Sequence, residues 1–361
     1  MRDRSAAFRS RQYQRQIEAQ AHRLEATDFF NVLTGPQLLE KTEALLPEHR
    51  ERQYPPTVAL AMFLKQALEE DRSCQKAVNG WIAQRVAEGL SPPSANTGGY
   101  SRARQRLPVE MVTTLTHEVS GLLCSQAPVS WRWRGRAAKL ADGTGISMQD
   151  TQENQARYPQ PCTQADGVGF PLMRLTGVVC LSTGAVLDVA MGPHAGKGNS
   201  ELGLFPQLEK VFCAGDVMLA DALYCNYFVV ARLRALGVDV LFEQHGARIT
   251  DFRRGKYLGT RDHLVSWSKP ARPQWMSKQE YAAFPAELIV REVESGGRVL
   301  VTTMFDRRKV SKRELGRLYQ NRWNVELDFR NIKTTLGLKV LSCKTPQMSE
   351  KELWVYWQAC Q

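Results

Sequence analysis

Residues 137–144 read Ala-Ala-Lys-Leu-Ala-Asp-Gly-Thr, and this stretch decides how the rest of the chain is interpreted. Residues 137–141 form a short, mostly apolar run of the length of a buried strand, and the run leads directly into Asp142. The same arrangement recurs where Val217–Ala220 leads into Asp221. Two such strands predict an α/β sheet with carboxylates at its edge, because ligands bind at the carboxyl ends of strands in sheets of this class.

The runs around these two strands predict the remaining elements of the sheet, because β-type runs and helical spacings alternate along the chain. In chain order they are strands at 172–180 and 185–191, a helix at 200–212, the strand at 217–220, a helix at 227–236 and a strand at 238–242. The sequence Ser182-Thr-Gly between the first two runs is a hairpin turn signal. This order predicts an α/β fold in which helices flank a mixed sheet.

The remaining parts of the chain differ in character. Helical periodicity covers most of residues 1–130, whereas residues 246–308 are basic, mostly β-type and broken by Pro and Gly. Residues 311–333 are predicted to form one long helix, in which Ser311 and Glu314 have the spacing of a capping box. The chain therefore divides into residues 1–130, 131–245, 246–308 and 309–361, and the β-rich third part interrupts the sheet.

The composition excludes several classes of protein. The chain has 361 residues, 43% of them hydrophobic, and no run of 18 apolar residues that could span a membrane. Its Arg-rich start lacks the apolar segment of a secretory signal. None of the eight cysteines forms a Cys-x-x-Cys pair, which disfavours a zinc site and a disulfide framework. Free thiols in a reducing cytoplasm are expected.

The charge points to a polyanionic partner. The formal net charge is +11, and residues 246–313 contain 15 Lys and Arg against 7 Asp and Glu. A basic surplus of this kind favours nucleic acid as the partner. Arg102, Arg104 and Arg106 form a further basic cluster, which fits a phosphate-contacting element and a solvated basic face about equally well.

Four residues of the predicted helix 311–333 share one face. Tyr319, Arg322, Glu326 and Lys333 are 3, 4 and 7 residues apart, which keeps them together at 3.6 residues per turn. One acid among two cations and a phenol suits a metal ligand flanked by phosphate-binding groups. A solvated face with intrahelical ion pairs also explains these charges, but it does not explain the matching aspartates at the two strand ends.

Asp142 and Asp221 at neighbouring strand ends could hold two divalent metal ions about 4 Å apart, as two-metal phosphoryl transfer requires. Taken alone, each aspartate would more commonly be the cap of a turn or a helix. Asp216 competes with Asp221 for this role, but it begins the strand rather than ending it.

Here the sequence resembles a known family. The pattern Tyr-x2-Arg-x3-Glu-x6-Lys resembles the YREK signature of DDE transposases from bacterial insertion sequences. The blocks Asp-Gly-Thr at Asp142 and Leu-Ala-Asp-Ala-Leu-Tyr around Asp221 are similar to the family's first two acidic blocks, although Ala222 and Leu223 replace its usual Arg-Gly. Residues 194–201 also resemble a family segment, and the resemblance covers about residue 136 to the C-terminus.

The resemblance implies a ribonuclease-H-like catalytic core at 131–245 and 309–361, a β insertion at 246–308 and a helical DNA-binding domain at 1–130. It implies two Mg²⁺ ions, replaceable by Mn²⁺, held by Asp142, Asp221 and Glu326. Such an enzyme would cut double-stranded DNA at terminal inverted repeats and join the ends to target DNA. Cut-and-paste through a hairpin, a homodimer on paired ends, no membrane contact and a bacterial, nucleoid-associated cytoplasmic location are expected with it.

The resemblance also implies which residues contact DNA. Tyr319, Arg322 and Lys333 would grip phosphates beside the cut, and Arg253 and Arg254 of the basic insertion would bind the DNA backbone.

A hairpin route requires a base pulled from the stack, and an insertion-domain Trp would cover that base. Trp267, in a β-type run, is favoured slightly over Trp275, and ordinary packing of both is the alternative. Trp323 is expected to pack beneath its helix. Residues 352–361 are apolar at helical spacing and stop without a cap, which suggests a truncated gene.

Two other functions compete with an active transposase. One is a truncated, non-catalytic protein that occupies transposon ends and inhibits transposition. The other is a different ribonuclease-H-like nuclease, such as a junction resolvase. The carboxylates and the Tyr-Arg-Glu-Lys face favour the transposase over the first alternative, and that face together with the basic insertion favours it over the second.

Overall fold

The computed structural model describes residues 44–46, 53–165, 167–322 and 340–359. The chain divides into two compact units, residues 1–119 and residues 120–361. Among the described residues, no helix is both long enough and apolar enough to cross a membrane.

The described part of the first unit is helical, as predicted. Its helices are α1 (Pro56–Leu68), α2 (Cys74–Ala87), α3 (Gly98–Arg106) and α4 (Val109–Gln126), whose last residues belong to the second unit. α1 buries an apolar face that includes Phe63 and Leu64, and it packs against α2 and α3. α3 starts earlier than expected, because Gly98 and Gly99 belong to the helix rather than to the preceding loop.

The second unit is built on one nine-stranded sheet. Its strands are β1 (Ala138–Ser147), β2 (Leu172–Cys180), β3 (Val186–Pro193), β4 (Val217–Ala220), β5 (Asp239–Glu243), β6 (Lys256–Gly259), β7 (Asp262–Ser268), β8 (Glu287–Ser295) and β9 (Arg298–Thr302). The order across the sheet is β3-β2-β1-β4-β5-β9-β8-β7-β6. β1, β4 and β5 are parallel, and the other neighbours pair antiparallel. The first five strands have the ribonuclease-H-like order, and the predicted α/β fold is confirmed.

Helices and one 3₁₀ segment cover the sheet. The helices are α5 (Gln152–Arg157), α6 (Glu201–Leu204), α7 (Tyr227–Ala235), α8 (Lys278–Ala283), α9 (Lys312–Gln320) and α10 (Pro346–Ala359). The single helix predicted at 200–212 is instead α6 followed by a 3₁₀ segment, Phe205–Val211. Pro206 lies in the first turn of that segment, and a proline has no backbone N–H with which to continue an α-helix. Phe205, Val230 and Phe242 are among the buried residues that join these helices to the sheet.

β1 also differs from the prediction. It continues through Asp142 to Ser147, whereas the sequence suggested an end at residue 141. Residues 143–145 stay extended because they pair with residues 174–176 of β2. Asp142 therefore lies within a strand and not at its end, which corrects the prediction.

The β-rich insertion extends the central sheet. β9 pairs with β5, with Leu241 opposite Thr302, and β8, β7 and β6 follow outward. Arg291 of β8 is fully buried and donates to both carboxylate oxygens of Asp262, at 2.8 and 2.7 Å. It also donates to the Val310 carbonyl at 2.8 Å. The insertion is thus joined to the segment that leads into α9.

α9 begins with the predicted capping box. The Glu314 N–H donates to Ser311 Oγ at 3.3 Å, and the Ser311 N–H donates to Glu314 Oε2 at 2.9 Å. α9 ends at Gln320, and Asn321 separates it from Arg322, which is helical again. The described part of the helix predicted for residues 311–333 is thus helical apart from a turn at Asn321, and residues 323–333 lie outside the described residues.

The described chain resumes beside the end of β1. The Leu341 N–H donates to the Ser147 carbonyl at 2.9 Å. The Glu352 carboxylate of α10 accepts from the N–H groups of Ser342 and Cys343, at 3.0 and 2.9 Å. These bonds hold the start of α10 beside the end of β1, and most of the helix is buried.

Candidate active site

The parallel register brings Asp142 and Asp221 to the same level of the sheet. The last paired residues of β1 and β4 are Leu140 and Leu219, and each aspartate lies two positions beyond its own partner of that pair. β4 ends at Ala220, so Asp221 is the first residue beyond its strand, as predicted. Although β1 continues, the two carboxylates lie where the pairing of their strands stops.

Asp142 is half-buried beside α10. Its Oδ1 accepts from the Gly143 N–H at 2.9 Å. A small cavity on this side of the sheet is lined by Asp142, Thr144, Leu175 and Val189 and by Trp357 of α10. The aspartate is thus held by its own strand and screened on one side by an apolar wall.

Asp221 has the capping role that its position suggested. Its Oδ1 accepts from the Leu223 N–H at 2.9 Å and so caps the short 3₁₀ turn Ala222–Tyr224. This cap uses one oxygen and fixes the direction of the carboxylate. The capping role that the sequence left open is therefore present, and it is compatible with a metal ligand at the same carboxylate.

Asp216, the competitor of Asp221, is used inside the core. Lys139 Nζ lies 2.5 Å from Asp216 Oδ2 and also donates to the Val211 carbonyl at 2.6 Å. The Cys213 N–H donates to the same carboxylate oxygen at 2.8 Å. A buried carboxylate with these partners is a structural ion pair, which supports Asp221 for the site.

Glu243 connects α9 to the same level of the sheet. It follows Phe242, which pairs with Ala220 at the end of β4, so Glu243 ends β5 level with Asp221. The Tyr319 hydroxyl donates to Glu243 Oε2 at 3.2 Å. The sequence analysis did not identify Glu243, because its role depends on a partner 76 residues away.

Tyr319 and Arg322 are both buried, and the Arg322 guanidinium lies 5.4 Å from the centre of the Tyr319 ring. These two members of the predicted face therefore lie together, as the helical spacing predicts. Burial raises the pKa of Tyr319. The Tyr319 hydroxyl already donates its hydrogen bond to Glu243. The predicted phosphate contact of Tyr319 is therefore corrected: the side chain holds α9 against β5. Glu326 and Lys333 lie outside the described residues.

Glu201 is a site residue that the sequence analysis did not single out. A Cβ atom at Gly143 would overlap the Glu201 carboxylate, which therefore lies directly against the backbone of β1 next to Asp142. Burial raises the pKa of Glu201, and the charges of Asp142 and Asp221 raise it further, while Arg174 lowers it. The glycine at position 143 is the one feature of the sequence that could have indicated this contact with Glu201.

Arg174 brings positive charge to this group of acids. It lies on β2 opposite Gly145, and its Nη2 is 3.2 Å from His194 Nδ1. Burial and the charge of Arg174 together lower the pKa of His194. A guanidinium beside carboxylates is suited to a substrate phosphate, which Arg binds through paired hydrogen bonds.

The basic cluster of α3 is not a single surface. Arg104 is buried, donates to Gln66 Oε1 at 3.2 Å, and lies 4.7 Å from the centre of the Phe63 ring. The DNA contact predicted for Arg104 is therefore corrected. Arg102 and Arg106 are exposed. They are four residues apart and share one helix face, whereas Arg104 points to the opposite side.

The two tryptophans of the insertion have opposite environments. Trp267 is 3% exposed, its Nε1–H donates to Glu292 Oε1 at 3.0 Å, and the Arg248 guanidinium lies 3.7 Å from its ring centre. Trp275 is 71% exposed. A ring covered by a guanidinium has no free face for a base, so the preference for Trp267 is corrected in favour of Trp275.

Arg253 and Arg254 are on the surface of the insertion, as their predicted role requires. Their side chains are 90% and 82% exposed. Asp251 accepts from Arg253 Nε and Nη2, at 2.8 and 3.0 Å, and lies 3.5 Å from Arg254 Nε. One carboxylate faces two guanidinium groups, so the segment keeps a positive charge.

The donor set at the sheet edge fits a divalent metal ion. Carboxylate oxygens are the ligands that Mg²⁺ and Mn²⁺ prefer, and like-charged acids gathered at one place are stabilised by a cation. Within the described ranges, which omit Glu326, no three His, Cys, Asp or Glu side chains complete a metal site by themselves. The cysteines that the structure describes are all free thiols, as expected.

A ribonuclease-H-like sheet with level aspartates on its central parallel strands defines a class of metal-dependent enzymes that act on nucleic-acid phosphodiesters. Within this class the chain belongs to the transposase DDE domain family, whose model matches residues 133–357. The chain is thus a DNA transposase, an enzyme that cuts DNA and joins its strands.

Several known proteins are similar to the chain. The transposase InsG of insertion sequence element IS4 from Escherichia coli (strain K12) is 27% identical over 320 residues, which are 84% of this chain and 68% of that protein. The piggyBac transposase synaptic complex with hairpin DNA is similar with a TM-score of 0.45 and 8% identity over 88% of this chain and 68% of that one. The pre-cleavage Mos1 transpososome has a TM-score of 0.18 and 12% identity over 62% and 75% of the two chains.

Proposed function

We propose that this chain cuts DNA at the terminal inverted repeats of an insertion sequence and joins the ends to target DNA, with Asp142, Asp221 and Glu326 as its catalytic acids. The observation that supports this most directly is the parallel register, which brings Asp142 and Asp221 to one level of the sheet. Two acids on adjacent strands are the arrangement that two-metal phosphoryl transfer requires.

Asp142, Asp221 and Glu326 would hold two Mg²⁺ ions, which Mn²⁺ can replace. When bound, the ions supply activation of the attacking oxygen and stabilisation of the leaving oxygen. The Leu223 N–H donates to Asp221, and the Gly143 N–H donates to Asp142. These two hydrogen bonds would orient the carboxylates before a metal ion binds. Pre-oriented ligands of this kind reduce the reorganisation that binding requires.

The cations around the acids would bind the DNA backbone. Lys333 remains the proposed phosphate contact beside the cut. Arg322 is buried against the Tyr319 ring, so a phosphate contact by Arg322 would require DNA to reach it there, and the bond from Tyr319 to Glu243 holds this pair in place. Arg253 and Arg254 would bind phosphates farther from the cut, because their exposed guanidinium groups can pair with them.

The proposed route is cut-and-paste through a DNA hairpin, with Trp275 stacked on a base that leaves the helix. Its 71% exposure makes the indole accessible to a base, whereas Trp267 is covered. Arg102 and Arg106 of the helical first unit would contact the terminal repeats. We further propose a homodimer on paired ends and a nucleoid-associated location in the bacterial cytoplasm.

One cleavage assay tests this function. The chain is incubated with labelled end DNA of its element and Mg²⁺ or Mn²⁺, and the products are resolved on a denaturing gel. Nicked ends and a hairpin are expected from the wild type, and no product is expected from Asp142→Asn or Asp221→Asn. Glu153→Gln, an exposed acid on α5, is the control and should cleave normally.

The outcomes distinguish the alternatives. Absence of cleavage by a folded wild type that binds the ends would favour the non-catalytic inhibitor. Cleavage of branched DNA of any sequence would favour a ribonuclease-H-like resolvase. Cleavage that survives Asp142→Asn would reject the site assignment, and nicked ends without a hairpin would reject the hairpin route alone.

A further inference from the structure

Gly143 and Glu201 fit together on β1. Residue 143 has no side chain, and the space where its Cβ would lie is filled by the Glu201 carboxylate. Gly143 directly follows Asp142 on the strand. The glycine therefore permits a second acid to contact the strand beside the first catalytic aspartate.

The local structure holds Glu201 at this position. Ser200 precedes α6, and its Oγ accepts from the Gly203 N–H at 3.1 Å, so the helix begins with Glu201 in its first turn. α6 packs on β2 and β3, and its Leu204 is buried in the core. The backbone that carries Glu201 is thus fixed relative to the sheet, and the acid does not reach Gly143 through a mobile loop.

The surroundings of Glu201 are acidic. Its carboxylate is half-buried, and both Asp142 and Asp221 are close enough to act on it electrostatically. Arg174 is the neighbouring cation that opposes them. Acids gathered at one place repel one another, and a bound cation relieves that repulsion.

We infer that Glu201 is a fourth acid of the metal centre and strengthens its binding of divalent cations alongside Asp142, Asp221 and Glu326. The inference rests on the proposed function, since it assumes that Asp142 and Asp221 hold the metal. It assigns Gly143 a role as well, because any side chain at residue 143 would push the Glu201 carboxylate away from the centre.

The test measures Mn²⁺ binding to the full DNA-free chain by the electron paramagnetic resonance signal of the free ion. Glu201→Gln keeps the shape of the side chain and removes its charge, and it is expected to weaken Mn²⁺ binding about tenfold. Glu153→Gln is the matched control and should bind as the wild type does. Circular dichroism of each variant establishes that the fold is retained.

A double-mutant cycle separates this role from a structural one. Gly143→Ala alone should weaken Mn²⁺ binding, because the new methyl group displaces the Glu201 carboxylate, which can move as the end of a flexible side chain. In the Glu201→Ala background the same change should have no further effect, since the carboxylate is already absent. The cycle remains informative even if Glu201→Gln folds poorly.

The failures of the two proposals can be told apart. Wild-type Mn²⁺ affinity in Glu201→Gln and in Gly143→Ala, with weakened binding in Asp142→Asn and Asp221→Asn, would overturn the role of Glu201 and keep the metal centre. Additive effects of Gly143→Ala and Glu201→Ala would also overturn it. Unchanged affinity in Asp142→Asn and Asp221→Asn would overturn the metal centre and this inference together.

Discussion

Asp216 and Asp221 are five residues apart, and their different partners give them different roles. Asp216 is paired with Lys139 in the core, whereas Asp221 caps a turn at the sheet edge. Asp216→Asn should lower the free energy of unfolding by about 3 kcal/mol, because it leaves a buried ammonium without its countercharge. Metal-dependent cleavage per folded molecule should stay at the wild-type rate.

Asp221→Asn should behave in the opposite way. Asparagine also caps turns, so the free energy of unfolding should change by less than about 0.5 kcal/mol, while cleavage should be lost. Urea unfolding followed by circular dichroism measures the stability of both variants, and the end-cleavage assay measures their activity. A folded Asp216→Asn that cannot cleave would move the metal site to Asp216.

The limit of sequence-based prediction is clear at this scale. Asp142 and Asp221 could be predicted because each follows an apolar run that is recognisable by itself. Glu201 could not, because its contact with β1 depends on a glycine 58 positions earlier and on how α6 packs. Tyr319 was given a phosphate role from its helix face and from the family resemblance, and its bond to Glu243 is visible only in the folded chain.

At the scale of elements, strands and helices with a strong local pattern were predicted closely. The hairpin β2–β3 and the strands β4 and β5 lie within a few residues of the runs that predicted them. β1 was predicted too short because Gly143, Thr144 and Gly145 have no strand signal of their own, and their pairing with β2 is a tertiary effect. The helix at 200–212 was changed by one proline, Pro206.

Trp267 belongs to the interior of strand β7, and Trp275 belongs to the exposed segment after it. Trp267→Ala should cost about 3 to 5 kcal/mol of unfolding free energy, because a large buried side chain is removed and Glu292 loses a donor. Trp275→Ala should leave stability unchanged and should reduce hairpin formation.

Fluorescence of 2-aminopurine next to the cleavage site would measure the unstacked base directly. Wild-type chain should quench or shift this signal in a way that Trp275→Ala does not, while Trp275→Phe should restore part of the effect through its smaller ring. Hairpin formation and base unstacking that persist unchanged in Trp275→Ala would remove this residue from the mechanism.

The segment that contains Arg253 and Arg254 tests the charge argument for the insertion. Arg253→Ala and Arg254→Ala should each weaken DNA binding about equally for all sequences, because phosphate contacts carry no base information. Each should also reduce the slope of log affinity against log salt concentration by about 1. Arg253→Lys keeps the charge and should keep the slope; a slope unaffected by either alanine variant would place the DNA elsewhere.

At the scale of the whole molecule, the nine-stranded sheet joins the insertion to the core. The sequence predicted an interruption at 246–308, but it could not show that β9 would pair with β5. That pairing joins residues 57 to 61 positions apart, on Asp239–Glu243 and Arg298–Thr302. It also depends on the buried Arg291 of the neighbouring strand β8. The insertion therefore has no separate hydrophobic core of its own in the described sheet, since Trp267 and Leu288 share one cluster with Phe242.

Arg291→Lys tests whether this sheet unfolds as one unit. The Arg291 guanidinium donates hydrogen bonds to Asp262 and to the carbonyls of Met304 and Val310 at once. The single ammonium of a lysine cannot donate in all of these directions. The variant should lose about 3 kcal/mol of unfolding free energy. Because β5 and β9 are paired in the middle of the sheet, hydrogen exchange should rise together in β7, β8, β1 and β4. Arg308→Lys, at an exposed position, is the control and should change none of them. Faster exchange in β7 and β8 alone would show that the insertion is a separate cooperative unit.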